Sequence, residues 1–306
     1  STNGNAGYAK SGQKITLTIT ATEAVTGLVC TIDGEATVMG GSGTAWTSEL
    51  TISGDETQQN TVFSCASHVD AAGNAGVTDT TANSGAVIVD YTAPTSTSAV
   101  IAVNNAGNAN DGDVVTLTLN PSETVGTPTC TWTDGDGAMA DTSVTYGTTG
   151  SDSHTAAVTV DNADQDGTVG FSCTYSDLAG NAIASAITSA TSGAVTIDNT
   201  HPAASAVTIA VSGSGNAQDG DVVTLTIDPS ETIGTPTCTW TDGSGAMADT
   251  SVTYATVGGT DHHTAAVTVD NADEDGTVGF SCSQKSLVVT TGESSCYWGI
   301  TIANGE

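Results

Sequence analysis

Asn162, Asp164 and Asp166 alternate along "NADQDG" ahead of Gly167, and Asn271, Asp273 and Asp275 do the same along "NADEDG" ahead of Gly276. Oxygen-bearing side chains on every second residue before a glycine turn are how a loop begins to wrap a hard cation such as calcium. The twelfth position of such a loop should be a bidentate Glu, but here it is Cys173 or Cys282, so neither stretch is an EF-hand. The plainer account is a solvated turn held by its own Asp and Asn side chains.

A second set of carboxylates stands near the passages between repeats. Asp70 and Asn74 in "VDAAGN" group with Asp90, and Asp177 and Asn181 in "SDLAGN" group with Asp198. An Asp just before a linker can share a cation such as calcium with the adjacent domain and stiffen the joint. Asx turns and backbone caps explain the same residues without an ion.

Other chemistry finds little support. His68, His154, His201, His262 and His263 are scattered, and no HExxH, GxSxG or CxxC pattern occurs, so a non-enzymatic chain is expected. The "DHH" at 261 to 263 offers at most a weak transition-metal site. A Lys-to-Asn isopeptide staple is excluded from the middle repeat, which has no Lys, and is open only to Lys10 or Lys14.

The elements that position these residues are repeated. "GNANDGDVVTLTLNPSETVGTPTCTWTDGDGAMADTSVTY" from 107 returns almost unchanged from 215, and a more distant copy begins at "KSGQKITLTITATEAVTGLVCTID". Cys30, Cys130 and Cys238 are then equivalent, as are Cys65, Cys173 and Cys282. A period of about 100 residues is a domain array, here divided as 1–92, 93–200 and 201–306. Within a copy the apolar period is two: Val115, Leu117 and Leu119 alternate with Thr116 and Thr118, and Ala156, Val158 and Val160 with Ala157 and Thr159.

The middle copy reads as seven strands, A near 98–103, B 113–120, C 127–133, D 142–147, E 154–160, F 168–175 and G 193–198. The chain is therefore expected to be all-β, three tandem immunoglobulin-like β-sandwich domains of about seven strands each. In antibody domains the bridge joins B to F; here the cysteines fall on C and F. C and F are neighbours in one sheet, which predicts Cys30–Cys65, Cys130–Cys173 and Cys238–Cys282 bridges inside a sheet, with Trp132 and Phe171 sharing a core face.

Composition narrows the partners. Three basic side chains, Lys10, Lys14 and Lys285, stand against 34 acids for a formal charge of -31. Phosphate backbones are repelled by such a chain, so nucleic-acid binding is not expected, while cations are attracted. No apolar run is long enough to insert in a membrane. Regular cysteines point to an oxidising, extracellular or cell-surface setting. No Asn-x-Ser/Thr sequon is present, and the many Ser and Thr leave O-linked glycans open. "STNGNAGYAK" lacks the basic and apolar regions of a signal peptide, as a mature or trimmed form would.

"DGDVVTLTLNPSE", the "DLAGN" motif after strand F, and the "TIDNTHP" or "IVDYTAP" exit from strand G together resemble the bacterial-type Ig-like tandem repeats of large surface adhesins and extracellular fibrous proteins. The resemblance covers the whole chain in three pieces. It implies a spacer, adhesive or fibre-forming module outside the cell.

The outer copies depart from the middle one. Copies two and three open on apolar A strands, "SAVIAV" and "SAVTIAV", whereas "STNGNAGYAKSGQK" before Ile15 aligns with the loop after strand A, so the first domain lacks that strand. An open sheet edge invites pairing with another chain. In the third copy "SQKSLVVTTG" replaces the DLAGN turn, "GITIAN" reads as strand G, and Ala303 stands where Asp90 and Asp198 stand. The odd Cys296 has four readings: a bridge to Cys282, a bridge to Cys238, a free thiol, or a bridge to a neighbouring chain. The expected function is a structural subunit of an extracellular filament or surface fibre, assembling head to tail by terminal strand complementation. The alternative is a monomeric stalk segment of a calcium-stiffened cell-surface adhesin.

Overall fold

The structure, a computed structural model, describes residues 1–150, 152–257, 262–284, 287–290 and 300–302. Cys296, Lys285, Asp261 and Ala303 lie outside the described residues. The described chain is all-β and forms three Ig-like sandwiches, each around its own apolar core. Domain 1 comprises β1 (Tyr8–Ala9), β2 (Lys14–Val25), β3 (Val29–Ile32), β4 (Glu35–Ala36), β5 (Val38–Thr51), β6 (Phe63–Ala66) and β7 (Ile88–Val89). Domain 2 comprises β8 (Ser96–Val103), β9 (Val114–Pro121), β10 (Thr129–Thr133), β11 (Thr145–Thr149), β12 (Ser153–Thr159), β13 (Gly167–Thr168), β14 (Gly170–Thr174) and β15 (Thr196–Ile197). Domain 3 comprises β16 (Ala204–Val211), β17 (Val222–Pro229), β18 (Thr237–Thr241), β19 (Thr253–Val257), β20 (His262–Thr268), β21 (Gly276–Gln284), β22 (Leu287–Thr290) and β23 (Ile300–Ile302). Domains 1 and 2 belong to one compact unit, Ser1–Asn199, and domain 3 to a second, Thr200–Glu306.

Domain 2 sets the pattern. One sheet runs β11-β12-β9-β8, the D-E-B-A order, and faces the β10–β14 pair, C beside F, while β13 pairs with β15. Strand β9 alternates half-buried and buried along its whole length, because Val115, Leu117, Leu119 and Pro121 point into the sandwich and Thr116 and Thr118 out of it. Ala99 and Ile101 of β8 and Ala156 and Val158 of β12 line the same core from the flanking strands. On the facing sheet, antiparallel register puts Cys130 directly opposite Cys173 and Trp132 opposite Phe171. The two sulfurs are bonded, and the Trp132 and Phe171 rings lie tilted with centroids 6.1 Å apart inside the core. Domain 3 repeats this with Cys238–Cys282 and with Trp240 against Phe280, and domain 1 with Cys30–Cys65 and with Ile32 opposite Phe63.

Two features escaped the strand pattern. Tyr8 and Ala9 of β1 pair in parallel with Ile88 and Val89 of β7, as Ala109 bridges Ile197 in domain 2. Domain 1 therefore contains the counterpart of the second half of strand A, which corrects the expectation that the strand is missing; two residues are too short a run to show periodicity. At 287–290, β22 pairs back on β21, with Cys282 opposite Val289 and Gln284 opposite Leu287. That pairing occupies the place where Cys173 makes one isolated bridge to Ile187 in domain 2.

Candidate functional site: an open strand slot and an acidic joint

Strand β2 of domain 1 pairs with β5 on one side only; among the described residues no strand covers its other edge. The corresponding edges of β9 and β17 are covered by β8 and β16. The burial of β2 records the difference. Leu117 and Leu119 are completely buried, whereas their counterparts Leu17 and Ile19 are only half-buried. The core of domain 1 is correspondingly split, with Ile15, Ile32, Leu50, Ile52 and Val89 in one part and Leu28, Cys30 and Cys65 in the other. A cleft of about 430 Å³ opens there, lined by Ile15, Leu17, Phe63, Ser84, Gly85 and Val87 among others. Val62, 62 % exposed, stands at its rim.

The joint between domains 1 and 2 is built on the "DLAGN" turn. Asp177 Oδ1 accepts the Asn181 backbone N–H and Asp177 Oδ2 the Asn181 side-chain amide, both at 2.8 Å. Gly180, at φ +85, lets the chain reverse tightly enough for that clasp. "VDAAGN" builds the same clasp, with Asp70 accepting from the Asn74 backbone and side chain and Gly73 at φ +86. In domain 2 the turn also grips its neighbour: Asn181 Nδ2 donates to Asp90 O at 3.0 Å, Asn3 Nδ2 to Ala179 O at 2.8 Å, and Lys10 Nζ to Gly180 O. Lys10 is thus a joint residue, and Lys14 forms an exposed ion pair with Glu49 at 3.1 Å.

Asp90, Glu123 and Asp177 converge at this joint, each offering a carboxylate oxygen within 4.8 Å of the others. This corrects the pairing expected from sequence, which grouped Asp70 with Asp90 and Asp177 with Asp198. The F–G turn lies at one pole of a sandwich, and strand G then runs the length of the domain before Asp90 or Asp198 is reached, at the opposite pole. The turn therefore faces the domain before its own, and Asp177 meets Asp90. Asp198 instead accepts from Asn108 Nδ2 at 3.3 Å. Glu123 was not foreseen, although an acid stands at the same place in every copy, as Glu23, Glu123 and Glu231. Burial, then the charges of Asp90 and Asp177, push the Glu123 carboxyl above its ordinary range.

The E-to-F loops use their carboxylates on backbone. Asp164, 2 % exposed, accepts from the Ala140 N–H at 2.6 Å and the Asp161 N–H at 2.8 Å, and Asp273 takes the same two amides in domain 3, from Ala248 and Asp270. Asp166 accepts the Asn199 N–H at 2.6 Å, and Asn199 Nδ2 donates to Asp161 O and Asp164 O. Asn162, Asn271 and Asp275 are exposed on these turns. Asp134 and Asp242 tie each C–D turn to the E–F loop: Asp242 accepts from Ser244, Gly245 and, across the gap, Glu274. Among the histidines, His154 and His263 are buried in the sheet, and His262 Nδ1 lies 3.3 Å from Asp228.

Among the described residues no helix is long and apolar enough to cross a membrane, which leaves β-barrels unaddressed. No protein-family model and no curated relative matches the sequence. Among solved structures the chain is similar to the Ig1–Ig3 ectodomain of mouse nectin-like molecule 4, at 13% identity over 92% of this chain and 93% of that one, TM-score 0.29. It is also similar to the N-terminal eight Ig domains of Down Syndrome Cell Adhesion Molecule, at 13% identity over 93% of this chain and 40% of that one, TM-score 0.28. An endo-fucoidan hydrolase of glycoside hydrolase family 107 scores alike, at 14% identity over 92% of this chain and 41% of that one, TM-score 0.28. At those identities and scores the likenesses carry no argument about function, and the Ig-like fold rests on strand order and pairing.

Proposed function

We propose that this chain is a structural subunit of an extracellular filament or surface fibre, in which a strand of one copy completes domain 1 of the next. The observation that carries the reading is the uncovered edge of β2 above its cleft. An uncovered edge on β2, where β9 and β17 are covered, leaves apolar surface and backbone hydrogen-bonding groups that an added strand a few residues long would satisfy. Such a contact is heterologous and does not close on itself, so it propagates as a filament. Three disulfides and 34 acids against three bases suit an extracellular, non-enzymatic module that binds no nucleic acid, and the motifs quoted above resemble those of bacterial-type adhesin repeats. Negative-stain electron microscopy and light scattering of the purified chain test this: long polymers are expected, and a monodisperse monomer at high concentration would sink it.

A second reading, a monomeric stalk segment of a calcium-stiffened surface adhesin, is favoured by the meeting of Asp90, Glu123 and Asp177. Three carboxylates from two domains are the ligand type a calcium ion takes, and an ion there would fix the angle of the joint. Melting curves with calcium and with chelator test it, since an unchanged midpoint removes calcium as a structural ligand.

A further inference from the structure

Asn3 and Gly4 form the one Asn-Gly pair among the described residues; a second, Asn304 with Gly305, lies outside them. A backbone nitrogen can attack the side-chain amide of the residue before it, and a residue without Cβ hinders that attack least. Nothing in the local fold requires a glycine at this position. Gly4 is exposed, its φ is not in the left-handed region, and a Cβ added to it would meet nothing within 4 Å. Gly73 and Gly180, in the two turns that clasp an Asp, do need their positive φ.

The surroundings of Asn3 favour that attack. Asn3 Oδ1 accepts the Asn5 N–H at 3.1 Å, an Asx turn that holds the side-chain carbon over the peptide that follows. The same N–H stands where negative charge collects on the oxygen as the carbon is attacked. Among the described residues the Gly4 N–H has no hydrogen-bond partner, so no bond must break to free it. The restraint lies on the leaving group: Asn3 Nδ2 donates to Ala179 O at 2.8 Å, a part-buried contact from domain 1 to the F–G turn of domain 2. Ala179 itself is completely buried.

We propose that Asn3 is a site of spontaneous deamidation, and that the reaction irreversibly loosens the joint between domains 1 and 2. The Gly4 nitrogen gives up its proton and bonds to Asn3 Cγ, the Cγ–Nδ2 bond breaks, and ammonia leaves with that proton, which closes a five-membered succinimide. Water then opens the ring at either carbonyl and leaves aspartate or isoaspartate at position 3. Nothing is oxidised or reduced, and water is the only co-reactant. The product has no side-chain N–H to give to Ala179 O, so a carboxylate oxygen faces a carbonyl oxygen, which costs more than the lost hydrogen bond alone. It also adds a negative charge beside the turn that carries Asp177, where Asp90 and Glu123 already converge. Since the bond to Ala179 O restrains the amide, a joint that opens reacts faster, and a joint that has reacted opens more. The proposal needs only this joint and stands apart from both functional readings above.

The test incubates the whole chain at neutral and at mildly alkaline pH and follows it by peptide mapping with fragment masses and by isoaspartate methyltransferase labelling. Asn3 is expected to show the mass gain of an amide turned to an acid well before Asn5, Asn74 or Asn181, faster at the higher pH, and to take the isoaspartate label. Gly4→Ala, which the open space around Gly4 accommodates, should slow the conversion by at least an order of magnitude, with circular dichroism confirming that it folds as the parent does. Asn181→Ala, which removes another hydrogen bond of the same joint, should speed it several-fold. Asn3→Asp and the converted parent should both melt below the fresh parent. Conversion at Asn3 no faster than at the other asparagines, a rate that does not rise with pH, or equal rates in the parent and Gly4→Ala overturns the site. Equal melting of Asn3→Asp and the parent, or no change of rate in Asn181→Ala, overturns its coupling to the joint.

Discussion

The side-chain amide of Asn181 donates to the main-chain oxygen of Asp90 at 3.0 Å, so the F–G turn of domain 2 holds the residue that follows the last strand of domain 1. The same amide clasps Asp177, a buried carboxylate. One side chain thus shapes the turn and couples it to the neighbouring domain, which explains why Asp and Asn recur at that spacing around a glycine.

Asn181→Ala should loosen the joint measurably. It removes a hydrogen bond to a buried carboxylate and one across the domains, and hydrogen bonds to charged groups contribute about 1.5–3 kcal/mol. Unit Ser1–Asn199 should lose several degrees of melting temperature, and the linker near Thr92 should be cut faster by protease. Asn74→Ala deletes the matching clasp on the exposed Asp70 turn and should leave the midpoint nearly unchanged. Equal effects at the two positions would mean that the contact to Asp90 contributes nothing.

Removing the middle bridge by Cys130→Ala with Cys173→Ala should cost domain 2 about 4 kcal/mol, from the chain entropy of a loop spanning a sequence separation of 43. Differential scanning calorimetry should show the transition of the Ser1–Asn199 unit that contains domain 2 falling by more than about 10 °C while that of the Thr200–Glu306 unit stays in place. A smaller drop would contradict the loop-entropy account of the bridge, and a matching shift of the Thr200–Glu306 unit would contradict its independence.

Much of this fold is legible in residue order. Val115, Leu117 and Leu119 fix β9 because only one face of a pleated strand reaches the core. Cys130 and Trp132, two apart, predict their partners Cys173 and Phe171, two apart on the facing strand, because an antiparallel pair repeats with the same period. The joint was less legible. Asp90 and Asp177 are brought together by which pole of the sandwich each turn occupies, a three-dimensional fact that nearness in sequence misreads. Glu123 carried a signal only in its recurrence as Glu23 and Glu231. The open edge of β2 shows only when the half-buried Leu17 and Ile19 are set beside the fully buried Leu117 and Leu119.

Asp242 predicts an acid limb for domain 3. The amide N–H groups of Glu274 and Ser244, with those of Gly245, stabilise the ionised carboxylate and lower it from 3.8 to about 2. A depressed acid contributes stability above its unfolded value and loses it as pH falls through the folded one, here between 3.8 and about 2. Asp242→Asn should therefore be less stable at neutral pH and should lose less than the parent on going down through that window. Circular dichroism melts at stepped pH check this, and parallel curves for the two proteins would refute it.

Glu123 predicts the opposite slope for the joint. Its carboxyl is raised above 4.5 by burial and by Asp90 and Asp177, so its protonated form suits the folded joint better. The stability it contributes is full below pH 4.5 and is lost as pH rises through the raised value. At neutral pH in chelator, Glu123→Gln should melt higher than the parent, because it removes one of three converging negative charges. On the calcium-stiffened reading, millimolar calcium closes that gap by raising the parent and not the variant, since a ligand that binds only the folded state stabilises by mass action and the variant lacks one of its carboxylates. A variant that melts lower than the parent in chelator would show that the three carboxylates do not repel. Equal calcium shifts in both proteins would place any bound calcium away from Glu123.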